Sequence, residues 1–539
     1  MTTPHVFVTL GDLTHVECDA WMLPTDRGFR VEDHWTSDET GVSGLAEKIA
    51  GSKNELFKQG AILATKVIDW DADRPLPVLT AVPFQGIRTE ADLRDLASAV
   101  RAFISLGATL AKDRQSKHRR PKPLLAMPAF GTGKGGGGAI RGQVLEALLE
   151  SAKFGALEND VDVVIVLRDP QVFALAQQKR AGYEWPELGP GLMQKAQELA
   201  AFAREGKLVP FMGAGVSVSA GGPSWSQLIQ KLAAGIDMSE SETESLTRAN
   251  RSALDQAAYL RERYLDLAHE RGSESGAEQF GVEIAAAVSV ERYGLAPALL
   301  ASLRTEQAIT LNYDDLFERA ASDANDPRTV IPGATSKTVS NKWLLKLHGS
   351  VDDPASIVLT RDDYLGYNTT REALSAIVKA NLITHHLMFV GFGLADDHFH
   401  QIIHDVRQSL PNDPSGPGYA TAITMLADPL DATLWKGQLD LLPMEGSSPI
   451  DAATATSDRI AHAGRKLEIF LDALLVFATD SHSYLLDNDF ASALSPGEAT
   501  LREKLLALKI SATADEKDAA GWRLVEQMFE ELGGSPQHK

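Results

Sequence analysis

The strongest constraint on this chain is a repeated local unit. Short runs of aliphatic or β-branched residues, bounded by turn residues, alternate with helical patterns. Val6-Phe7-Val8-Thr9-Leu10, Asp19 to Leu23, Val78 to Val82, Leu124 to Met127 and Val161 to Leu167 read as strands. Between them, Asp92 to Leu110 sets Leu93, Leu96, Val100, Phe103 and Ile104 on one helical face. Ile140 to Lys153 does the same with Val144, Leu145, Leu148 and Leu149. Alternating strand and helix specifies a largely parallel sheet covered by helices, an α/β fold.

The unit recurs after Gly182 to Gly191, a run dense in Gly and Pro that reads as a linker. A helix over Leu192 to Arg204 precedes the strand Leu208 to Met212. Further strands fall at Ala308 to Leu311, Trp343 to Leu347, Leu387 to Val390 and Tyr419 to Met425. Glu240 to Arg271 reads as an inserted helical subdomain, and Ile460 to Ala478 as an apolar helix closing this part. The expected organisation is a domain over 1–183, a linker over 184–191, a second α/β domain over 192–480 and a helical tail over 481–539.

Four strand ends in the second domain carry chemistry. Phe211-Met212-Gly213-Ala214-Gly215-Val216-Ser217 leads toward a helix at Ser226 to Ala234, and a helix N-terminus beyond glycines attracts phosphate. The same glycines also suit a plain tight turn. Asn312 and Asp314 follow the strand Ile309 to Leu311, where side-chain amide and carboxylate can hold a carboxamide or ribose; an Asx turn capping Asp315 to Ala321 uses the same residues. His348 ends the strand Leu344 to Leu347, placed for base chemistry or simply as a core histidine. Gly391, Phe392 and Gly393, followed by Asp396 and Asp397, form a turn able to receive a ribose. Asp396 to Asp405 also carries histidines at i and i+4 with nearby acids, compatible with a metal, but reads as ordinary helix surface, so no metal ligand is assigned.

Taken in order, GAGVSVSAGGPSW, TLNYDDLFE, LKLHGS and FVGFGLADD resemble the sirtuin superfamily over about Leu192 to Asp480. The resemblance implies a Rossmann-like domain in which Gly213, Ala214, Gly215 and Ser217 hold the pyrophosphate of NAD⁺. It implies that Asn312 and Asp314 serve the nicotinamide ribose and that His348 is the base. Gly391, Phe392 and Gly393 match the second ribose loop. The chain's one cysteine, Cys18, cannot build a four-cysteine zinc ribbon, so no zinc is expected. The pattern resembles the bacterial, Thoeris-like branch that hydrolyses NAD⁺ in antiphage defence. An NAD-dependent protein deacylase is the alternative.

The first domain has its own resemblance. VTLGDLT, CDAWMLP and MPAFGTG with Gly135 to Gly138 are similar to macro domains, a three-layer fold that binds ADP-ribose. That assigns adenine to Asp12 and diphosphate to Gly131, Thr132, Gly133, Gly135 and Gly136. The whole then implies an NAD⁺ glycohydrolase gated by an ADP-ribose-type nucleotide, in a homo-oligomer such as a tetramer. A net charge of −21 argues against an extensive nucleic-acid surface. The N-terminus lacks a basic stretch followed by an apolar one. The longest greasy run, Ile469 to Ala478, is broken by Asp472 and falls short of the ~20 residues a membrane helix needs. A cytoplasmic location without a membrane is expected.

Overall fold

The computed structural model describes residues 2–36, 47–49, 54–71, 74–82, 87, 89–112, 120–130, 141–236, 238–246, 248, 251–270, 272, 276–333, 342–394, 396–409, 418, 420–445 and 456–534. The chain divides into two compact units, residues 1–197 with 469–539, and residues 198–468.

The first unit holds a six-stranded sheet. Its strands are β1 (Val6–Leu10), β2 (Ala20–Thr25), β3 (Ala64–Lys66), β4 (Leu76–Ala81), β5 (Leu124–Pro128) and β6 (Asp162–Leu167), in the order β1-β6-β5-β2-β4-β3. All neighbours run parallel except β3, which pairs antiparallel at the edge. Three residues give β3 too short a pattern to read from sequence. The helices Glu90–Lys112 and Arg141–Asn159 bury the expected stripes. They approach closely because Gly155 faces Ile104, where a Cβ would lie 2.7 Å from the Ile104 Cδ1.

Two expected boundaries move. The run 182–191 is not a spacer: Trp185 and Leu188 are buried, and the helix Pro190–Arg204 starts inside it. The Trp185 indole lies 5.4 Å from the Arg180 guanidinium and 5.1 Å from the His5 ring. The helix Thr456–Ala478 does not belong wholly to the second domain, because from Ile469 onward the chain packs in the first unit. Asp472 explains this. It is fully buried, accepts from Arg180 Nη1 at 3.0 Å and from Arg180 Nη2, and meets His5 Nε2 at 2.7 Å. The tail adds Lys179 Nζ on the Ala493 carbonyl at 2.7 Å and Gln171 Nε2 on the Ser483 carbonyl at 2.9 Å. The residues 481–539 are therefore part of the first unit rather than a separate tail.

The second unit is a seven-stranded, wholly parallel sheet. Its strands are β7 (Leu208–Met212), β8 (Gln307–Thr310), β9 (Thr329–Ile331), β10 (Trp343–Lys346), β11 (His386–Val390), β12 (Ala420–Leu426) and β13 (Leu439–Glu445). Their order is β13-β12-β11-β7-β8-β10-β9. The two edge strands, β9 and β13, escaped the sequence pattern: one is three residues long, and the other contains Asp440 and Pro443. Central strands are apolar on both faces, as a covered parallel sheet requires. Val209, Phe211, Ile309, Leu345, Leu387 and Phe389 pack with Val378, Leu382, Phe399 and Ile403. The inserted helices Glu240–Leu246, Ala253–Glu270 and Gly276–Val288 share a second core with the helix Trp225–Ala234, through Leu228, Leu232, Leu246, Leu260, Phe280 and Ile284. The insertion thus extends beyond Arg271. No described helix is long and apolar enough to cross a membrane.

Removing one partner of a buried ion pair strands the other charge. Burial by itself pushes the Asp472 carboxyl up, and Arg180 and His5 overcome this to hold it below the usual carboxylate value. Arg180→Met should lower the unfolding temperature of the first unit, with a loss of about 3–5 kcal/mol in that unit's stability. An unchanged melting profile for Arg180→Met by calorimetry would remove the pair from this role.

Candidate active site

Register brings the expected residues of the second unit to one level. Val390, Met212, Thr310 and Lys346 are aligned across the adjacent strands β11, β7, β8 and β10. Two residues further along each strand stand Phe392, Ala214, Asn312 and His348. All four line a single cavity of about 450 Å³, together with Gly213, Ser217, Asp314 and Gly393. Ligands in parallel α/β sheets bind at this carboxyl edge.

The two glycine turns are bound to each other. Gly213 N–H donates to the Val390 carbonyl at 3.0 Å, and Gly215 N–H to the Gly391 carbonyl at 2.8 Å. A Cβ on Gly213 would lie 2.6 Å from the Gly391 oxygen, and one on Gly391 would lie 2.4 Å from Val216 N. Gly391 also has φ +62°, the left-handed region. Gly215 and Gly391 are not among the cavity-lining residues. At both positions the space their missing side chains leave is filled by backbone of the neighbouring turn. The loop also does not run straight into a helix. A 3₁₀ segment, Ala214–Ala220, intervenes, and the helix Trp225–Ala234 is closed by a Ser224–Gln227 capping box.

Asn312, Ser217 and Asp314 form one chain of hydrogen bonds. Asn312 Nδ2 donates to the Gly213 carbonyl and to Ser217 Oγ, both at 3.1 Å, and Ser217 Oγ donates to Asp314 Oδ2 at 2.7 Å. With both amide hydrogens used, Asn312 offers Oδ1 as an acceptor. Burial raises the Asp314 carboxyl, against the Ser217 hydroxyl and the Lys346 ammonium. Ser217, expected to hold pyrophosphate, lines the cavity and joins the two other residues.

Lys346 lies beneath this loop and was not marked by the sequence. It is almost fully buried, and its Nζ donates to the carbonyls of Tyr313 at 3.2 Å and Asp314 at 2.6 Å and to Glu318 Oε1 at 2.6 Å. Only the fold brings these partners together. Trp225, the last residue of the GAGVSVSAGGPSW run, also lines the cavity, as does Tyr364, whose pattern in sequence carried no site signal.

His348 is 4% exposed, and its Nε2 has no hydrogen-bond partner. Burial pushes its pKa down to about 4, although the Asp396 carboxylate opposes this. The imidazole is therefore neutral at pH 7, with a lone pair available to take a proton. Aromatic rings surround it: Tyr364, His398 and Tyr367 have centroids 5.4, 5.7 and 5.9 Å away. One ring nitrogen each of His348 and His398 and a carboxylate oxygen of Asp396 lie within 4.8 Å of one another. The i, i+4 histidines noted in sequence, His400 and His404, are both exposed and outside this group.

In the first unit, Asp12 follows β1. Its Oδ1 accepts from Thr14 N at 3.0 Å and Thr14 Oγ1 at 2.8 Å, while Oδ2 pairs with Arg168. Burial raises this carboxyl, but Arg168 and Thr14 bring it below the usual value. Arg168 in turn lies 6.0 Å from the Trp35 ring. Gly131, Thr132, Gly133, Gly135 and Gly136 lie outside the described residues.

Comparison with known proteins places the site in context. A family model described as a SIR2-like domain matches residues 306–437, a span holding Asn312, Asp314, His348 and residues 391–393 but beginning after the Gly213 loop. The chain is 30% identical over 215 residues to the NAD(+) hydrolase ThsA of Enterococcus faecium, covering 38% of this chain and 40% of that protein. It is 27% identical over 241 residues to Defense-associated sirtuin 2 of Bacillus subtilis, covering 43% and 23%. It is 26% identical over 207 residues to the NAD(+) hydrolase ThsA of Bacillus cereus (strain MSX-D12), covering 38% and 40%. Each match spans less than half of the relative's own length.

Two measurements test this geometry directly. NMR titration of His348 should give a midpoint near pH 4, with the neutral form above it; a midpoint at or above the ordinary 6.5 contradicts the buried setting. The unfolded imidazole binds its proton more tightly, so the His348 contribution to stability is lost as pH falls from 6.5 toward 4. Gly391→Ala should disrupt the turn contact and destabilise the second unit by about 1–3 kcal/mol or more; a wild-type unfolding curve would exclude the contact as a constraint.

Proposed function

We propose that residues 198–468 hydrolyse NAD⁺ at the nicotinamide–ribose bond, releasing nicotinamide, ADP-ribose and a proton. The observation carrying this reading is the convergence of Asn312, Asp314, Ser217 and neutral His348 on one cavity beside two glycine turns. The names of the relatives, NAD(+) hydrolase and Defense-associated sirtuin, support it and point to antiphage defence.

The chemistry follows from the residues. Water attacks C1′ of the nicotinamide ribose as the N-glycosidic bond breaks, and its electron pair leaves with the ring nitrogen, neutralising the pyridinium. Asn312 Oδ1 orients the water or a ribose hydroxyl. His348 Nε2 takes the proton, and its neutrality at pH 7 suits it for that. Ser217 and Asp314 hold Asn312 in place. Gly213, Ala214 and Gly393 present backbone to the diphosphate and ribose, so positioning contributes much of the rate. Trp225, Leu228 and Val288 form an apolar wall that keeps bulk water out. The same wall favours the alternative, an NAD-dependent deacylase, in which an acyl chain would lie against it.

The first unit, in this reading, is a macro-like domain that binds an ADP-ribose-type nucleotide and gates a homo-oligomeric enzyme. Support comes from the parallel neighbours β1, β6 and β5, which bring Asp12, Arg168 and the end of β5 to one sheet edge. An adenine amino group would compete with Arg168 for Asp12 Oδ2.

Chromatography of NAD⁺ incubated with the purified full chain, with and without ADP-ribose, should show nicotinamide without any acylated peptide. His348→Ala should reduce turnover by about 10²–10⁴-fold. Turnover equal to wild type in that variant sinks the assignment of the base, and release that requires a peptide selects the deacylase. Calorimetry with ADP-ribose should show binding that Asp12→Ala abolishes; binding that survives the substitution removes the nucleotide site from this unit.

A further inference from the structure

Beside the cavity stands a group of side chains that hydrolysis of NAD⁺ does not use in full. We propose that His348, His398 and Asp396 bind a transition-metal dication of the zinc class, and that its occupancy switches His348 off as a base.

Each donor is prepared for coordination. His398 Nε2 lies 3.0 Å from the Tyr364 carbonyl oxygen, so this nitrogen carries the proton and Nδ1 presents its lone pair. That Nδ1 is buried with no hydrogen-bond partner, and so is His348 Nε2. Buried polar atoms without partners are uncommon and costly, yet two occur within one group of three side chains whose donor atoms lie within 4.8 Å. A metal-bound histidine typically donates its other nitrogen to a carbonyl or carboxylate, as His398 does. The His398 ring is stacked on Tyr364 at 4.2 Å and packed on Tyr367 at 4.0 Å, which fixes its orientation. Asp396 is anchored as well: Oδ2 accepts from Tyr364 Oη at 2.9 Å and Oδ1 from Phe399 N at 2.9 Å, and each oxygen keeps a further lone pair.

Two imidazoles and one carboxylate suit zinc, cobalt, nickel, iron(II) or manganese, and disfavour magnesium and calcium, which prefer all-oxygen shells. Bonds of about 2.0–2.2 Å would draw the donors closer together than they stand here. His348 and Asp396 both line the cavity, which gives an ion its entry route and leaves a position for water. Once coordinated, the His348 lone pair can no longer accept a proton. Binding stands on this geometry alone; the inhibition rests on the reading of His348 as the base.

The test uses the full chain, freed of metal by a chelator and titrated with Co²⁺, whose visible bands report coordination. One saturable band that Zn²⁺ displaces is expected, with nicotinamide release falling as the band grows. His398→Ala should weaken the midpoint by roughly tenfold or more, and His398→Phe, which keeps the ring stack but removes both nitrogens, should do the same. His400→Ala should leave it unchanged. No band, or a midpoint unaltered in both His398 variants, overturns the site, and a rise in turnover with Co²⁺ overturns the inhibition. If the band appears and depends on His398 while the protein releases no nicotinamide, the metal site stands and the hydrolase reading fails.

Discussion

The second unit depends on the register of four parallel strands, β11, β7, β8 and β10. Once Val390, Met212, Thr310 and Lys346 are level, the residues that follow have little choice of position. The turns after β11 and β7 leave the sheet side by side and touch through backbone, which only glycine permits at Gly213, Gly215 and Gly391. The turns after β8 and β10 leave with Asn312 and His348 at the same height. These four exits form the floor of the cavity, and Trp225, Leu228, Val288 and Tyr364 of the covering helices complete its lining, so the level of the floor is inherited from sheet hydrogen bonding rather than from any one loop.

Beneath that space the structure places a buried ammonium. Lys346 ends β10 and is held by two backbone carbonyls of the Asn312–Asp315 loop and by Glu318. Burial raises the Glu318 carboxyl, and the Lys346 charge opposes the rise. A cation so deep is tolerated only with its partners in place, since removing one leaves uncompensated charge. The loop bearing Asn312 and Asp314 is thereby tied to a neighbouring strand as well as to its own. This explains how a segment with Asx-turn chemistry keeps its amide on Gly213 and Ser217 instead of turning back on itself.

Much of this was legible in the sequence because it is local. Strand runs, helical stripes and the residues at strand ends are set by period and composition, and ten of the thirteen strands lie within a residue or two of the apolar runs that announced them; β3, β9 and β13 are short or polar edges with no such signal. What could not be read is what joins distant positions. Asp472 looks like a flaw in a greasy helix until Arg180 and His5 meet it, and that meeting carries the C-terminal segment into the first unit. Lys346 looks like a polar residue in a strand until Glu318 is beside it. Gly215 reads in sequence as part of a pyrophosphate loop and Gly391 as part of a ribose loop, and sequence shows that a side chain is missing there but not that the neighbouring turn fills the space it leaves.

The same physics also separates the two kinds of polar residue at the site. Ser217, Asp314, Lys346 and Glu318 are tied by hydrogen bonds within the protein, as is the amide nitrogen of Asn312, so they are held in place and define positions. His348 is set up differently. The burial that strips its proton also leaves Nε2 without a hydrogen-bond partner. A hydroxyl or water entering the cavity gains a hydrogen bond there that the resting protein lacks. Desolvation thus supplies both the neutral base and the incentive for the group it must deprotonate to bind beside it. Moving His348 into solvent would restore an ordinary imidazole and forfeit both effects together.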